Sequence, residues 1–192
     1  MNYLLAGLVM FLGLHSIRVF ADGWRTHLRI AWGVPAWRAA YSLLSLIGFG
    51  LIVWGFGQVR QTPVQLWNPP IGMRHLAAVL TLMAFVLLAA AYVPGNQIKA
   101  RVHHPMVAGV MRWAMAHLLA NGNAGQALLF GSFLGWAVLS FLAARQRDQR
   151  EGTRYVAGQA GATGVTVALG VAAWMAFALW LHGWLIGVRP IG

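Results

Sequence analysis

The sequence predicts an all-α membrane protein with about six transmembrane helices, and three observations carry that prediction. Hydrophobic residues make up 59% and charged residues only 9% of the 192 residues, and the mean hydropathy is +0.65. Soluble domains of this size contain far less apolar material. Six apolar segments, each near the ~20 residues that span a bilayer, follow one another without a repeat or a long linker. We therefore expect one domain over residues 1–192, folded as a polytopic helical bundle.

The predicted spans follow in chain order and cover residues 3–20, 39–57, 75–93, 105–121, 126–144 and 164–187. The first span lacks a basic n-region and a cleavage site of small residues, so we expect a retained helix and not a signal peptide. The fifth span contains Gly131 and Gly135, a pair of small residues at helical spacing. Such pairs let helices approach closely, and packing against a neighbour in the same chain is favoured over a dimer contact.

The charged residues predict the orientation of the protein in the membrane. The formal net charge is +11, with three acidic against 14 basic residues. Ten of the basic residues fall in the first, third and fifth connections, namely Arg18, Arg25, Arg29, Arg38, Lys99, Arg101, Arg145, Arg147, Arg150 and Arg154. The positive-inside rule assigns these connections to the cytoplasm. We expect a multi-pass protein of the bacterial inner membrane with both termini in the periplasm, and the charge is thereby explained without nucleic acid.

Two histidines are predicted to lie inside the membrane. The apolar run before His15 covers only about 18 Å of a ~30 Å hydrocarbon core, so the first span must continue through this residue. His117 lies about 18 Å along the fourth span, counted from Pro105. Ionisable side chains are costly in lipid and are functional by default. A hydrogen-bonded core histidine is the alternative for each residue taken alone.

The composition narrows the chemistry open to these histidines. The chain contains no cysteine, which excludes a covalently attached c-type haem, a thiolate metal ligand, an iron–sulfur cluster and a catalytic cysteine. The depths predicted for His15 and His117 differ by less than about 10 Å at the helical rise. A haem b whose iron is held by both imidazoles between the first and fourth spans is therefore feasible, provided that the two helices are neighbours.

Three further residues are predicted to support this site. Arg18 lies on the His15 face and is expected to pair with Asp22 four residues later. Arg112 is buried in the fourth span and needs an anion, such as Asp22, a haem propionate or a substrate carboxylate, unless backbone carbonyls satisfy it. Asn121 follows His117 by one turn and is expected to orient its imidazole.

The remaining histidines are predicted to have structural or solvated roles. His103 and His104 follow Arg101 at the cytoplasmic mouth and are expected to be solvated at the interface. His27 lies in a polar connection and His75 at the start of a span. His182 lies inside the last span, where packing is favoured over ligation.

Several motifs resemble the NnrU family of bacterial membrane proteins over nearly the whole chain. They are HSIRVFADGWR, YSLLSLIGF, LWNPP, AAYVPGNQIKARVHHP, WAMAHLLANGN, LLFGSFLGWAV and a terminal LIGV. The family name derives from an association with genes of nitrite and nitric oxide reduction. The resemblance therefore implies a membrane protein linked to denitrification, with respiratory or denitrification proteins as partners.

The NnrU family is similar to the plant and cyanobacterial 15-cis-zeta-carotene isomerase, a membrane enzyme that holds haem b. The isomerase binds haem iron through an HS motif on an early helix and a later AH motif, which correspond to His15 and His117. This resemblance implies the same two ligands as the residue analysis. Where the isomerase has a cysteine three residues before the second histidine, this chain has Ala114, so ligand exchange through a thiolate is excluded.

A more distant resemblance connects VHHPMVAGV with membrane methyltransferases of the isoprenylcysteine type. Those enzymes continue with a glutamate and paired tyrosines, which Glu151 and Tyr155 match poorly.

From the two histidines and the resemblance to the NnrU family, we expect redox or gas-binding chemistry at a bis-histidine haem, with a membrane lipid, a lipid-soluble substrate or a quinone as partner. A haem-dependent cis-trans isomerase of a polyene lipid and a non-catalytic accessory factor of a respiratory reductase are the alternatives.

Overall fold

The computed structural model describes residues 1–190, and in this range the chain is helical without named strands. The predicted all-α class is confirmed, and the last two residues of the predicted domain lie outside the described range. The helices are α1 (Asn2–Phe20), α2 (Asp22–Ala31), α3 (Val34–Val59), α4 (Met73–Tyr92), α5 (Gln97–Val102), α6 (Pro105–Ala120), α7 (Ala124–Glu151), α8 (Ala160–Ala176) and α9 (His182–Ile186), with a π-helical turn (Phe177–Leu181) joining the last two.

Each of the six predicted spans corresponds to a helix or a helical unit. Five are long and apolar enough to cross a membrane: α1, α3, α4, α7 and the continuous unit Ala160–Ile186. The sixth, α6, has only 16 residues but packs between α4 and α7. Helix α7 extends past the predicted end at residue 144 through a polar stretch to Glu151, and Gly152 in the left-handed conformation (φ 61°) ends it.

The helices pack in the order α3, α1, α7, α6, α4 and α8, each on the next. Buried side chains of α1, α3, α6 and α7 form one apolar cluster, made of Leu4, Leu8, Ile52, Ala114, Leu129 and Phe130. Helix α7 therefore lies between the helix that carries His15 and the helix that carries His117.

Glycines bring α1 and α3 into backbone contact. A Cβ atom added to Gly55 would lie 2.2 Å from the backbone nitrogen of Leu4, and one added to Gly7 would lie 2.6 Å from that of Ile52. By contrast, a Cβ at Gly131 or Gly135 would meet nothing within 4 Å. The predicted close packing of the Gly131 and Gly135 pair within the chain is therefore wrong, because neither glycine lies against a neighbouring helix.

Contacts between connections define the two ends of the molecule. We call the end that carries the arginine-rich first, third and fifth connections the basic end. There, Arg147 Nη1 donates to the Arg18 carbonyl (3.4 Å), and the amide of Gln159 donates to the Gly95 carbonyl (2.8 Å). The first, third and fifth connections thus lie together, as the charge pattern predicts. At the opposite end, the amide of Ala124 donates to the Val64 carbonyl (2.8 Å) and ties the connection after α3 to the start of α7.

Candidate functional site

His15 lies on α1 where α3 and α7 both approach it. Its ring stacks on Phe11 one turn earlier, with centroids 4.2 Å apart. Tyr41 of α3 lies 5.4 Å away, and Trp136 of α7 meets the imidazole edge-on at 6.0 Å. The side chain is half-buried among aromatic rings.

His117 lies on α6 in a similar aromatic environment. Its ring stacks on Phe130 of α7 at 4.3 Å and lies 5.2 Å from Trp113 on its own helix. The Asn121 amide donates to the backbone carbonyl of His117 (2.8 Å) and accepts a hydrogen bond from Gln126 (2.9 Å). Asn121 therefore bonds to the main chain of His117 in the last turn of α6, and its role in orienting the imidazole stays a prediction.

The two imidazoles are held by the same type of hydrogen bond. Nδ1 of His15 lies 2.7 Å from the Phe11 carbonyl, and Nδ1 of His117 lies 2.8 Å from the Trp113 carbonyl. A carbonyl oxygen only accepts, so each Nδ1 carries the proton, and Nε2 of the neutral ring keeps its lone pair. Metal-ligating histidines are fixed in this way, with one nitrogen donating to a carbonyl and the other bound to the metal.

A continuous line of aromatic rings connects the two histidines across α7. Phe11, stacked on His15, lies 5.9 Å from Phe133, and Phe133 lies 5.5 Å from Trp113, which neighbours His117. The residues of α7 that contact the two histidines, Phe130 and Trp136, are six positions apart, or about 9 Å along the helix axis. This offset agrees with the depth difference expected from the sequence.

The donor set suits a haem iron, although the space between the donors is filled by side chains. Helix α7 separates α1 from α6, and the rings of Phe11, Trp113 and Phe133 lie between the two histidines. A haem held by both His15 and His117 would require these side chains to adopt other rotamers. Within residues 1–190 no group of three histidine, cysteine or acidic residues is placed to hold a metal ion.

Asp22, the acidic side chain predicted to pair with Arg18 or Arg112, pairs with neither arginine. Asp22 begins α2 and pairs with Arg25 (3.1 Å), because the helix breaks at Ala21 and the expected alignment with Arg18 is lost. The predicted Arg18–Asp22 pair is therefore wrong. Arg112 donates to the Ala108 carbonyl on its own helix (3.1 Å), the backbone alternative foreseen from the sequence. A role of either arginine beside a haem propionate stays a prediction.

The histidines at the basic end are packed instead of solvated. His104 Nε2 donates to Asp148 Oδ2 (2.8 Å), with only 21% and 18% of the two side chains exposed. His103 stacks face to face on Tyr155 at 4.0 Å and accepts a hydrogen bond from Arg145 Nη1 (2.5 Å). Sequence reasoning missed this cluster because its partners follow some 40 positions later, although Asp148 stands out as one of only three acidic residues.

Tyr155 completes this cluster at the basic end, outside the spans. Its hydroxyl donates to Asp148 Oδ2 (2.9 Å). Burial and the neighbouring carboxylate both oppose a phenolate and raise the pKa of Tyr155 to about 12. The phenol is therefore neutral at physiological pH and acts as a hydrogen-bond donor.

The fold defines a polytopic helical membrane protein, and two of its apolar helices each carry a partly buried histidine among aromatic rings. The NnrU protein family matches residues 3–190. The chain therefore belongs to the NnrU family. No curated protein and no solved structure matches it.

Proposed function

We propose that this NnrU protein binds haem b inside the membrane through His15 and His117, and that it performs redox or gas-binding chemistry linked to nitrite and nitric oxide metabolism. The observation that carries the proposal is the matched state of the two imidazoles. Each Nδ1 lies at hydrogen-bond distance from a carbonyl of its own helix, which leaves Nε2 of the neutral ring as the nitrogen that can bind a metal.

When bound, the haem iron supplies the reactivity, whereas the chain supplies ligation, burial and electrostatics. The carbonyls of Phe11 and Trp113 fix the tautomer and the ring orientation of the two ligands. The surrounding aromatic side chains exclude water, which favours exchange of electrons with a lipid-soluble partner or binding of a small apolar gas.

The alternative of polyene isomerisation is less well supported by the residues present. Ala114 is fully buried (0% exposed) in the apolar cluster, at the position where the resembling isomerase has its cysteine. A methyl group there offers no second ligand. An accessory role beside a respiratory reductase is compatible with a haem that keeps both ligands.

The absorption spectrum of the purified protein tests the proposal. We expect a Soret band that His15→Ala and His117→Ala each reduce at least tenfold at equal protein concentration. The control is His27→Ala, because His27 is an exposed side chain on α2, away from both proposed ligands. A folded protein that neither contains nor takes up haem would refute the proposal.

Addition of nitric oxide distinguishes gas binding from electron transfer. A shift of the Soret band when the gas is added to the reduced protein indicates that one histidine leaves the iron. An unchanged band indicates two permanent ligands and electron transfer.

A further inference from the structure

Helix α2 leaves most of its surface uncovered. It follows α1 directly and precedes α3, and none of its ten residues is buried. Ile30 is 79% exposed, and Trp24 and the C-cap residue Trp32 are each 54% exposed. Exposed apolar side chains that lie this close together mark an interaction surface.

The neighbouring helices hold α2 at the membrane surface of the basic end. Helices α1 and α3 run antiparallel, because Leu4 near the start of α1 meets Gly55 near the end of α3. The ten residues of α2 cover only about 15 Å at the helical rise, half of a ~30 Å hydrocarbon core. Helix α2 therefore joins two spans without crossing the membrane, and the ring of its Trp24 lies 6.5 Å from that of Trp37 on α3.

The residues of α2 are divided by type between two sides of the helix. At helical spacing one side, which also holds His27, carries the apolar residues Trp24, Leu28, Ile30 and Ala31. The other side carries the polar residues Asp22, Arg25, Thr26 and Arg29. Helices with one apolar and one basic side lie in the plane of the membrane surface, with the apolar side among the acyl chains.

The positive charge around α2 is not neutralised by the protein. Residues 18–38 contain four arginines and only one acidic residue, Asp22. Asp22 pairs with Arg25 (3.1 Å), and the other ion pair among residues 1–190 is at the far side of the sequence, between His104 and Asp148. Arg29 and Arg38 therefore form no ion pair with a residue that the structure describes.

We infer that α2 lies in the membrane surface at the basic end and binds anionic phospholipid there, with Arg29 and Arg38 at the head-group phosphates. Arginine binds phosphate oxygens through paired, charge-assisted hydrogen bonds, and tryptophan rings are enriched at this depth of the bilayer. A phospholipid offers an anion and hydrocarbon chains side by side, which is the combination that the two sides of α2 require. The inference does not depend on haem.

Quenching of a fluorophore by brominated lipids tests the inference, because bromine quenches only at close contact. The chain contains no cysteine, so Ala31→Cys and Thr26→Cys each allow one bimane label, on the apolar and the polar side of α2, at positions that are both exposed. The full-length protein is placed in phosphatidylcholine vesicles with a small share of brominated phosphatidylglycerol or brominated phosphatidylcholine. We expect strong quenching at position 31 and weak quenching at position 26, and at position 31 more quenching by the anionic lipid at equal mole fraction.

Substitution of the arginines tests the role of charge. In the Ala31→Cys protein, Arg29→Gln and Arg38→Gln should each reduce the preference for phosphatidylglycerol by up to about fivefold, and added salt should reduce it further. Arg60→Gln is the matched control, because Arg60 follows the opposite end of α3 and lies over the ring of Phe56 (5.8 Å). This variant should keep the full preference.

The inference is overturned by equal quenching at the two label positions, by equal quenching of position 31 with the two brominated lipids, or by a preference that neither arginine substitution changes. Weak quenching of position 31 by both lipids, together with protection from iodide in the aqueous phase, would show that protein covers α2 and would equally overturn it. None of these results alters the Soret band, so the proposed function is tested separately.

Discussion

His15 and His117 are fixed by the same hydrogen bond to their own helices, but their surroundings differ. Beside His117, the Asn121 side chain donates to the His117 carbonyl and accepts from Gln126. Beside His15, the buried indole N–H of Trp136 has no hydrogen-bond partner among residues 1–190. The polar side chains next to His117 are thus bonded within the chain, whereas the donor next to His15 is not.

The largest expected effect comes from separating α1, and with it His15, from α3. A methyl group at Gly55 would meet the backbone of Leu4 at 2.2 Å, and backbone cannot move aside as a side chain does. We expect Gly55→Ala to lower the free energy of unfolding by about 1 to 3 kcal/mol, measured by thermal unfolding in detergent, and to reduce haem retention.

Gly57→Ala is the matched control for this substitution. Gly57 lies on the same helix as Gly55, and a Cβ added there would meet nothing within 4 Å. Alanine has the higher helix propensity, so this variant should be slightly more stable than the wild type. Equal stability of the two variants would contradict the packing that positions His15.

A smaller effect is expected on the His117 side. Asn121→Ala removes the hydrogen bond to the His117 carbonyl and leaves Gln126 Nε2 without its acceptor. We expect a loss of about 1 kcal/mol in stability and a decrease in haem affinity of less than about tenfold, since the imidazole itself is not touched. Asn68→Ala, which removes a hydrogen bond at the same end (3.3 Å from Gln65), is the control, and an equal decrease in that variant would show that Asn121 has no specific role.

The smallest effect on haem binding is expected from changes at the basic end, because this end lies outside the proposed haem site. The pKa of Tyr155 is raised from 10.0 to about 12, so folding favours the neutral phenol. Its stabilising contribution is complete below pH 10 and is lost as the pH rises toward 12.

The difference in ultraviolet absorption between the wild type and Tyr155→Phe, followed as the pH is raised, should show that Tyr155 ionises near pH 12. Asp148→Asn should bring it back toward pH 10, because the carboxylate that opposes the phenolate is removed. An ionisation of Tyr155 near pH 10 in the wild type would contradict the hydrogen bond to Asp148.

Much of the fold could be predicted because long apolar segments have few alternatives in a membrane. The predicted end of α7 at residue 144 was wrong, because polar residues continue the helix beyond the apolar segment to Glu151. The glycine contacts were assigned to Gly131 and Gly135, whereas Gly55 and Gly7 make them, since spacing alone does not show which face of a helix meets a neighbour. In contrast, the positions of the basic residues correctly predicted that the first, third and fifth connections lie at the same end of the molecule.

The candidate site was predicted only at the level of its individual residues. The depths of His15 and His117 follow from counting along helices, and the placement of α7 between them does not. The His104–Asp148 pair and the unpartnered Trp136 depend on contacts between helices distant in sequence. Arg18 and Asp22 failed to pair because one residue, Ala21, ends the helix between them.

The shortness of α6 has a consequence for the thickness of the bilayer around the protein. Its 16 residues span only about 24 Å at the helical rise, less than the ~30 Å of a typical hydrocarbon core. The lipid beside α6 must therefore thin, or the adjoining connection must enter the hydrocarbon layer. The connection after α3 is suited to this, since its backbone pairs with residues 122–124 through the amides of Leu66 and Ala124. His117 lies about 5 Å from the end of this helix. If the proposed haem is held there, its affinity should change with the acyl chain length of the host lipid.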